Sequence, residues 1–140
     1  MADFALDAVS AAVQVLWRAD ATLVALVGGR MGDGVLQGVT FPYLWYEVRE
    51  RDMRGLGGGG LPEVELRAHI FSTAPGMREA QQIASRLITV TKDATLTVSG
   101  YTQCGKVFYD ETVPIPLSEI NGVPVRELVP MFRIYVEESA

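Results

Sequence analysis

The sequence predicts a single α+β domain: a mostly antiparallel β-sheet with helices packed on one face. Three observations lead there. Two consecutive alternating runs in residues 41–71 read as a hairpin, two amphipathic helical stretches precede them, and a third helix is followed only by further strands, giving the order ααββαβββ. At 140 residues and 49% hydrophobic, the chain suits one core that buries about two-thirds of its unfolded surface.

The hairpin organises the rest. Phe41-Pro42-Tyr43-Leu44-Trp45-Tyr46-Glu47-Val48-Arg49 places Leu44, Tyr46 and Val48 on one side and Tyr43, Trp45, Glu47 and Arg49 on the other. Glu63-Val64-Glu65-Leu66-Arg67-Ala68-His69-Ile70-Phe71 repeats the pattern, with Val64, Leu66, Ala68 and Ile70 inward. If the apolar sides share a face, Glu47 and Arg49 meet Glu65 and Arg67 on the outer surface, where opposite charges contribute about 0.2 to 1 kcal/mol per cross-strand pair.

Before the hairpin, Leu6, Val9, Val13, Leu16 and Trp17 form the stripe of a helix ending near Arg18, with Asp3 as its N-cap. Asp20 caps a shorter helix that buries Leu23, Leu26 and Val27, and Gly28-Gly29 supplies the left-handed positions that stop it. Arg30-Met31-Gly32-Asp33-Gly34-Val35 reads as a turn or a short edge segment. Between the strands, Gly55-Leu56-Gly57-Gly58-Gly59-Gly60 is expected to be mobile until a partner orders it.

After Phe71, Ser72-Thr73-Ala74-Pro75-Gly76 ends the strand, and Met77, Ala80, Ala84, Leu87 and Ile88 mark a helix to about Thr91. A short strand is expected at Leu96 and Val98, punctuated by Gly100, and another within residues 101–112, where Val107, Phe108 and Tyr109 defeat the alternation test. Pro114, Pro116 and Pro124 bracket an expected loop with Asn121-Gly122 at its tip. The closing strand sends Phe132, Ile134 and Val136 to one face and Arg133, Tyr135 and Glu137 to the other, with Pro130 as a point of interruption.

Composition narrows the function. The net charge of -5 and the lack of any Lys or Arg run argue against tight nucleic-acid binding. Cys104 is the sole cysteine, so this chain alone builds neither an intrachain disulfide nor a thiolate metal cluster, and a reducing compartment follows. Met1-Ala2-Asp3-Phe4 carries an acid where a secretory signal has positive charge, and Gln14, Arg18 and Asp20 break the apolar stretches, so no membrane span is expected.

No catalytic or cofactor site emerges. Gly55, Gly57 and Gly60 match a dinucleotide fingerprint in spacing, but Leu61-Pro62 and a strand follow where a helix N-terminus is required. His69, the single histidine, reads as a surface residue on the polar strand face, and Cys104 as a small strand residue. Asp110 with Glu111, and Glu137 with Glu138, point to opposite faces of a strand and do not converge on a substrate. The feature that stands out is the outer strand face, where Tyr43, Trp45, Phe71 and Tyr135 stand among Arg49, Arg67 and Arg133. Aromatics with arginine are what interfaces enrich; the competing reading is that helices fold back over this face and make it core.

The elements, taken together, resemble a known family: the small proteins of long-tailed bacteriophages described as tail terminator, tail completion or tail-to-head joining proteins. The resemblance covers nearly the whole chain. It rests on the opening helix with the short second one, Ala19-Asp20-Ala21-Thr22-Leu23-Val24-Ala25-Leu26-Val27-Gly28-Gly29-Arg30; on Phe41-Pro42-Tyr43 opening a strand; and on a strand ending His69-Ile70-Phe71-Ser72. The helix Gly76-Met77-Arg78-Glu79-Ala80-Gln81-Gln82-Ile83-Ala84 and the long final strand complete it. The four consecutive glycines and the Pro114-to-Pro124 segment depart from the pattern.

The resemblance implies a structural virion protein without cofactor or enzymatic role. Its copies would form a ring, six in number, at the head-proximal end of the tail tube, made in the host cytoplasm. Its partners would be itself, the tail tube protein and the neck or head-completion proteins, with DNA passing through the lumen unbound. From the residues themselves, the outer-face side chains are a candidate subunit or partner interface, and Gly55, Gly57, Gly58, Gly59 and Gly60 a candidate flexible partner-contact loop. The alternatives are a neck connector that only joins tail to capsid, a small non-enzymatic ligand-binding module, and an enzyme recruiting its residues from Asp, Glu, Arg and Tyr alone or across subunits.

Overall fold

The computed structural model describes residues 6–32, 40–52 and 62–138. In chain order these form α1 (Leu6–Arg18), α2 (Ala21–Val27), β1 (Met31–Gly32), β2 (Tyr43–Asp52), β3 (Pro62–Ser72), α3 (Arg78–Thr91), β4 (Tyr101–Gln103), β5 (Phe108–Ile120) and β6 (Val123–Glu138). This is the expected α+β domain.

Each helix follows from its stripe. Val9, Ala12, Val13 and Trp17 of α1 and Ala80, Ile83, Ala84 and Leu87 of α3 are buried against the sheet, at the three- and four-residue spacing of one helix face. Asp20 caps α2 as expected, accepting from the Leu23 N–H at 2.9 Å, and Gly28 and Gly29 take φ of 61° and 75°, which an L side chain adopts only with strain. The Asp3 cap and the glycine loop at residues 55–60 lie outside the described residues.

Asp20 also ties α2 to α3, since Arg86 donates to its two oxygens at 2.6 and 2.9 Å. The paired guanidinium, with help from the Leu23 N–H, holds the Asp20 carboxyl below the usual carboxylate range. A depressed folded-state pKa contributes stability that is present above the unfolded pKa and is lost as pH falls through the folded one. Asp20→Asn should therefore melt below the parent at pH 7, with the gap closing as the pH falls below the ordinary aspartate range. A gap that stays constant through acid would show that the charge plays no part.

The sheet runs β1-β2-β3-β6, with β5 and β4 in succession on the far side of β6. All pairs are antiparallel except β1 with β2, the short edge segment foreseen near Met31. Leu44, Tyr46, Leu66, Ala68, Ile70, Phe132, Ile134 and Val136 form the inner face and meet the helices in one core. Trp17 is central to it. Its indole donates to Thr91 Oγ1 at 2.9 Å, and its ring stands edge-on to Tyr46 with centroids 5.0 Å apart.

Three expectations change. Leu96 and Val98 are buried, but no strand forms there; the Gln103 amide takes the partner's role, accepting from Leu96 N–H at 2.7 Å and donating to the Ala94 carbonyl at 2.9 Å. Residues 101–112 hold two strands rather than one, because the chain breaks at Gly105, whose φ is 81°. The segment from Pro114 to Pro124 is no loop: β5 and β6 continue as a hairpin, closed by Asn121 and Gly122 at φ of 52° and 79°. Prolines are tolerated there because β5 is an edge strand, and its register shifts between Ile115 and Ser118, around Pro116.

Pro130 does not end β6. Its ladder with β3 runs from Glu63↔Tyr135 to Arg67↔Met131 and resumes in the same register at Ile70↔Leu128, interrupted over Val129 and Pro130, the latter having no N–H. The hairpin outruns the sheet. The last β3 partner of β6 is Arg126, so residues 118–125 pair only within the hairpin.

Candidate interaction face

Strand register assembles the outer face in rows. Tyr43 lies opposite Phe71, which lies opposite Glu127; Trp45 opposite His69; Glu47 opposite Arg67; Arg49 opposite Glu65, which lies opposite Arg133; and Glu63 opposite Tyr135. All seven residues singled out from the sequence, Tyr43, Trp45, Arg49, Arg67, Phe71, Arg133 and Tyr135, therefore share one side of the sheet. The helices are on the other side, so the reading in which they fold back over this face does not hold.

The aromatics stack on one another rather than standing alone. Tyr43 packs on Phe71 with centroids 4.9 Å apart and on Phe41 at 5.2 Å, which buries Tyr43 even without a helix above it. Burial and the Glu127 carboxylate push its phenol pKa up. Trp45 lies flat on the His69 ring, 4.1 Å between centroids and 4° from parallel. Offset aromatic contacts of this kind contribute about 0.5 to 1.5 kcal/mol beyond area burial.

His69 is more than the surface residue expected. Its Nδ1 lies 2.7 Å from Glu127 Oε2 and its Nε2 2.8 Å from Glu47 Oε2. His69 thus bridges β2 to β6 across β3 and carries Trp45 on its ring. The sequence hid this because Glu47 and Glu127 lie 22 and 58 residues away; only the hairpin register brings Glu47 beside it.

The charged rows are likewise occupied. Glu65 takes Arg67 at 2.6 Å along its own strand and Arg49 at 3.7 Å across the hairpin, whereas Glu47 turns to His69. Arg133 pairs with Asp110 at 3.2 Å. That carboxylate first, then a hydrogen bond with Tyr135 and the charge of Glu63, raise the Arg133 pKa further above its already high value. Tyr135 donates to Glu63 Oε2 at 3.1 Å and meets Phe108 edge-on at 5.8 Å.

Cys104 is half-buried, and burial with the nearby Glu137 charge pushes its thiol pKa up, away from nucleophile chemistry. No single helix among the described residues is long and apolar enough to cross a membrane. What the face offers is an aromatic and ion-paired surface.

Residues 11–113 match the family model described as tail completion protein gp17. The chain belongs to this family. Two solved structures share the fold of this tail completion protein: a chain from the virion of a native gene transfer agent particle, with a TM-score of 0.72 at 23% identity over 91% of this chain and 93% of that one, and the gp17 protein of bacteriophage SPP1, with a TM-score of 0.60 at 14% identity over 96% and 93%. No curated protein sequence matches it.

Proposed function

We propose that this tail completion protein forms a ring of identical subunits, six in number, at the head-proximal end of the phage tail tube, where it ends tube polymerisation and offers a docking surface to the neck. The observation that carries the reading is the family match over residues 11–113. The role is structural and needs no cofactor. Its partners are further copies of itself, the tail tube protein and the neck or head-completion proteins; it is made in the host cytoplasm and ends in the virion. The likeness to a chain of a gene transfer agent virion supports that location.

Two physical features favour a ring around DNA. With 17 acidic residues against 12 basic ones, the protein repels phosphate and lets DNA slide without being gripped. The outer face, bearing Tyr43, Trp45, Arg49, Arg67, Phe71, Arg133 and Tyr135, is a preassembled contact surface for another subunit or partner. A role confined to joining finished tails to capsids is the nearest alternative.

Electron microscopy of particles made without the protein separates the two. Overlong tails lacking heads are expected if the ring ends tube growth. Tails of normal length beside filled, detached capsids would assign it to joining alone, and normal infectious particles would overturn both.

A further inference from the structure

The exposed apolar side chains of this protein are not scattered. Among the described residues, the large ones are Phe108, Ile115, Leu117, Ile120 and Val123 on the β5–β6 hairpin and Val15 on α1. Leu117 is 59% and Ile120 and Val123 are 45% exposed, in or beside the part of the hairpin that outruns β3. Val15, 71% exposed, lies in an open groove of about 590 Å³ along α1, lined also by Ser10, Ala11, Gln14, Ala19 and the buried Tyr46 of β2.

Ridge and groove belong to opposite edges of the sheet. α1 packs on β2, near one edge of the sheet, whereas β5 forms part of the other edge, with β3 and β6 between them. The ridge therefore cannot fill the groove of its own chain. Two different patches on opposite edges make a head-to-tail contact, which closes into a ring when the rotation between subunits permits.

Charge sets the direction. β5 carries Asp110, Glu111 and Glu119 and no cation. The groove is bounded by Asp7 toward the start of α1 and by Arg18 at its end. Glu119, one residue from the hairpin turn, is attracted to the Arg18 end and repelled by the Asp7 end.

We propose that the β5–β6 hairpin tip of each subunit docks into the α1–β2 groove of the next copy, with Leu117 against Val15 and Glu119, two residues on along the same side of β5, beside Arg18. This rests on the ring reading above and names the surfaces that build the ring. The contact is separate from the aromatic outer face, which is left for other partners or for a second part of the same seam.

Cysteine cross-linking within assembled particles tests it. In a Cys104→Ser background, a chain carrying Val15→Cys and Leu117→Cys is incorporated into particles and oxidised with oxidised glutathione. A ladder of disulfide-linked chains up to the ring number is expected on non-reducing gels. Each single variant should stay at the one-chain size, because a head-to-tail contact never places position 15 against 15 or 117 against 117. Should the double variant fail to assemble, Ala19→Cys with Glu119→Cys reads the same contact. Intact rings at the tail end that give no ladder from either pair overturn the docking and leave the ring reading standing; linkage by a single variant overturns it too. Absence of any ring of this protein on parental particles overturns the ring reading and the docking with it.

Discussion

Trp17→Ala is expected to cost about 3 to 5 kcal/mol, the range for removing a large buried aromatic. Trp17 is fully buried, and its ring spans all three structural units: it leaves α1, donates to Thr91 at the end of α3 and meets Tyr46 of β2 edge-on. Alanine there opens a cavity that three elements would have to close at once. Against a total stability of roughly 5 to 15 kcal/mol for a domain, the loss decides whether the protein stays folded at growth temperature. Trp17→Phe separates packing from hydrogen bonding. Thr91 keeps its bond to the Leu87 carbonyl at 2.6 Å, so losing the indole N–H should cost only about 1 kcal/mol plus the smaller volume deficit. Thermal or denaturant unfolding reads both, and an alanine variant as stable as the parent would remove Trp17 from the core.

Trp45→Ala should do the reverse. Trp45 is half-buried on the face opposite the described helices, and its main fixed contact is the stack on His69, so truncation should cost folding about 1 kcal/mol. Interface anchors of this type lose 2 kcal/mol or more on truncation, a weakening of roughly thirtyfold or greater per contact. Repeated at every subunit of a ring, that loss should abolish incorporation into particles while the isolated subunit melts within a few degrees of the parent. Sedimentation of the subunit and infectivity of particles made with the variant measure the two effects. Unchanged assembly would remove Trp45 from the working surface, and a large fall in melting temperature alone would class it with the core.

The two tryptophans show how far the sequence could be read. Both positions follow from periodicity, Trp17 from the apolar stripe of a helix and Trp45 from the polar side of an alternating strand. The Asp20 cap, the Gly28-Gly29 stop and the Asn121-Gly122 turn were likewise legible, because each depends on the backbone preferences of one or two adjacent residues. Where reading failed, the cause was a partner distant in the chain. Leu96 and Val98 alternate like a strand, yet the Gln103 side chain replaces the strand partner. Pro114, Pro116 and Pro124 look like a loop until the bulge and the free edge of β5 are known.

The sequence by itself determined the α+β class, the helices, the hairpin at residues 41–71 and which side chains share the outer face. Local sterics and period settle those. Only the tertiary structure decided that this face lies opposite α1, α2 and α3, that His69 lies between Glu47 and Glu127, and that the final hairpin projects beyond the sheet at the edge opposite the α1 groove. Those are matters of register and strand order, fixed by contacts between residues tens of positions apart, to which no local pattern is sensitive.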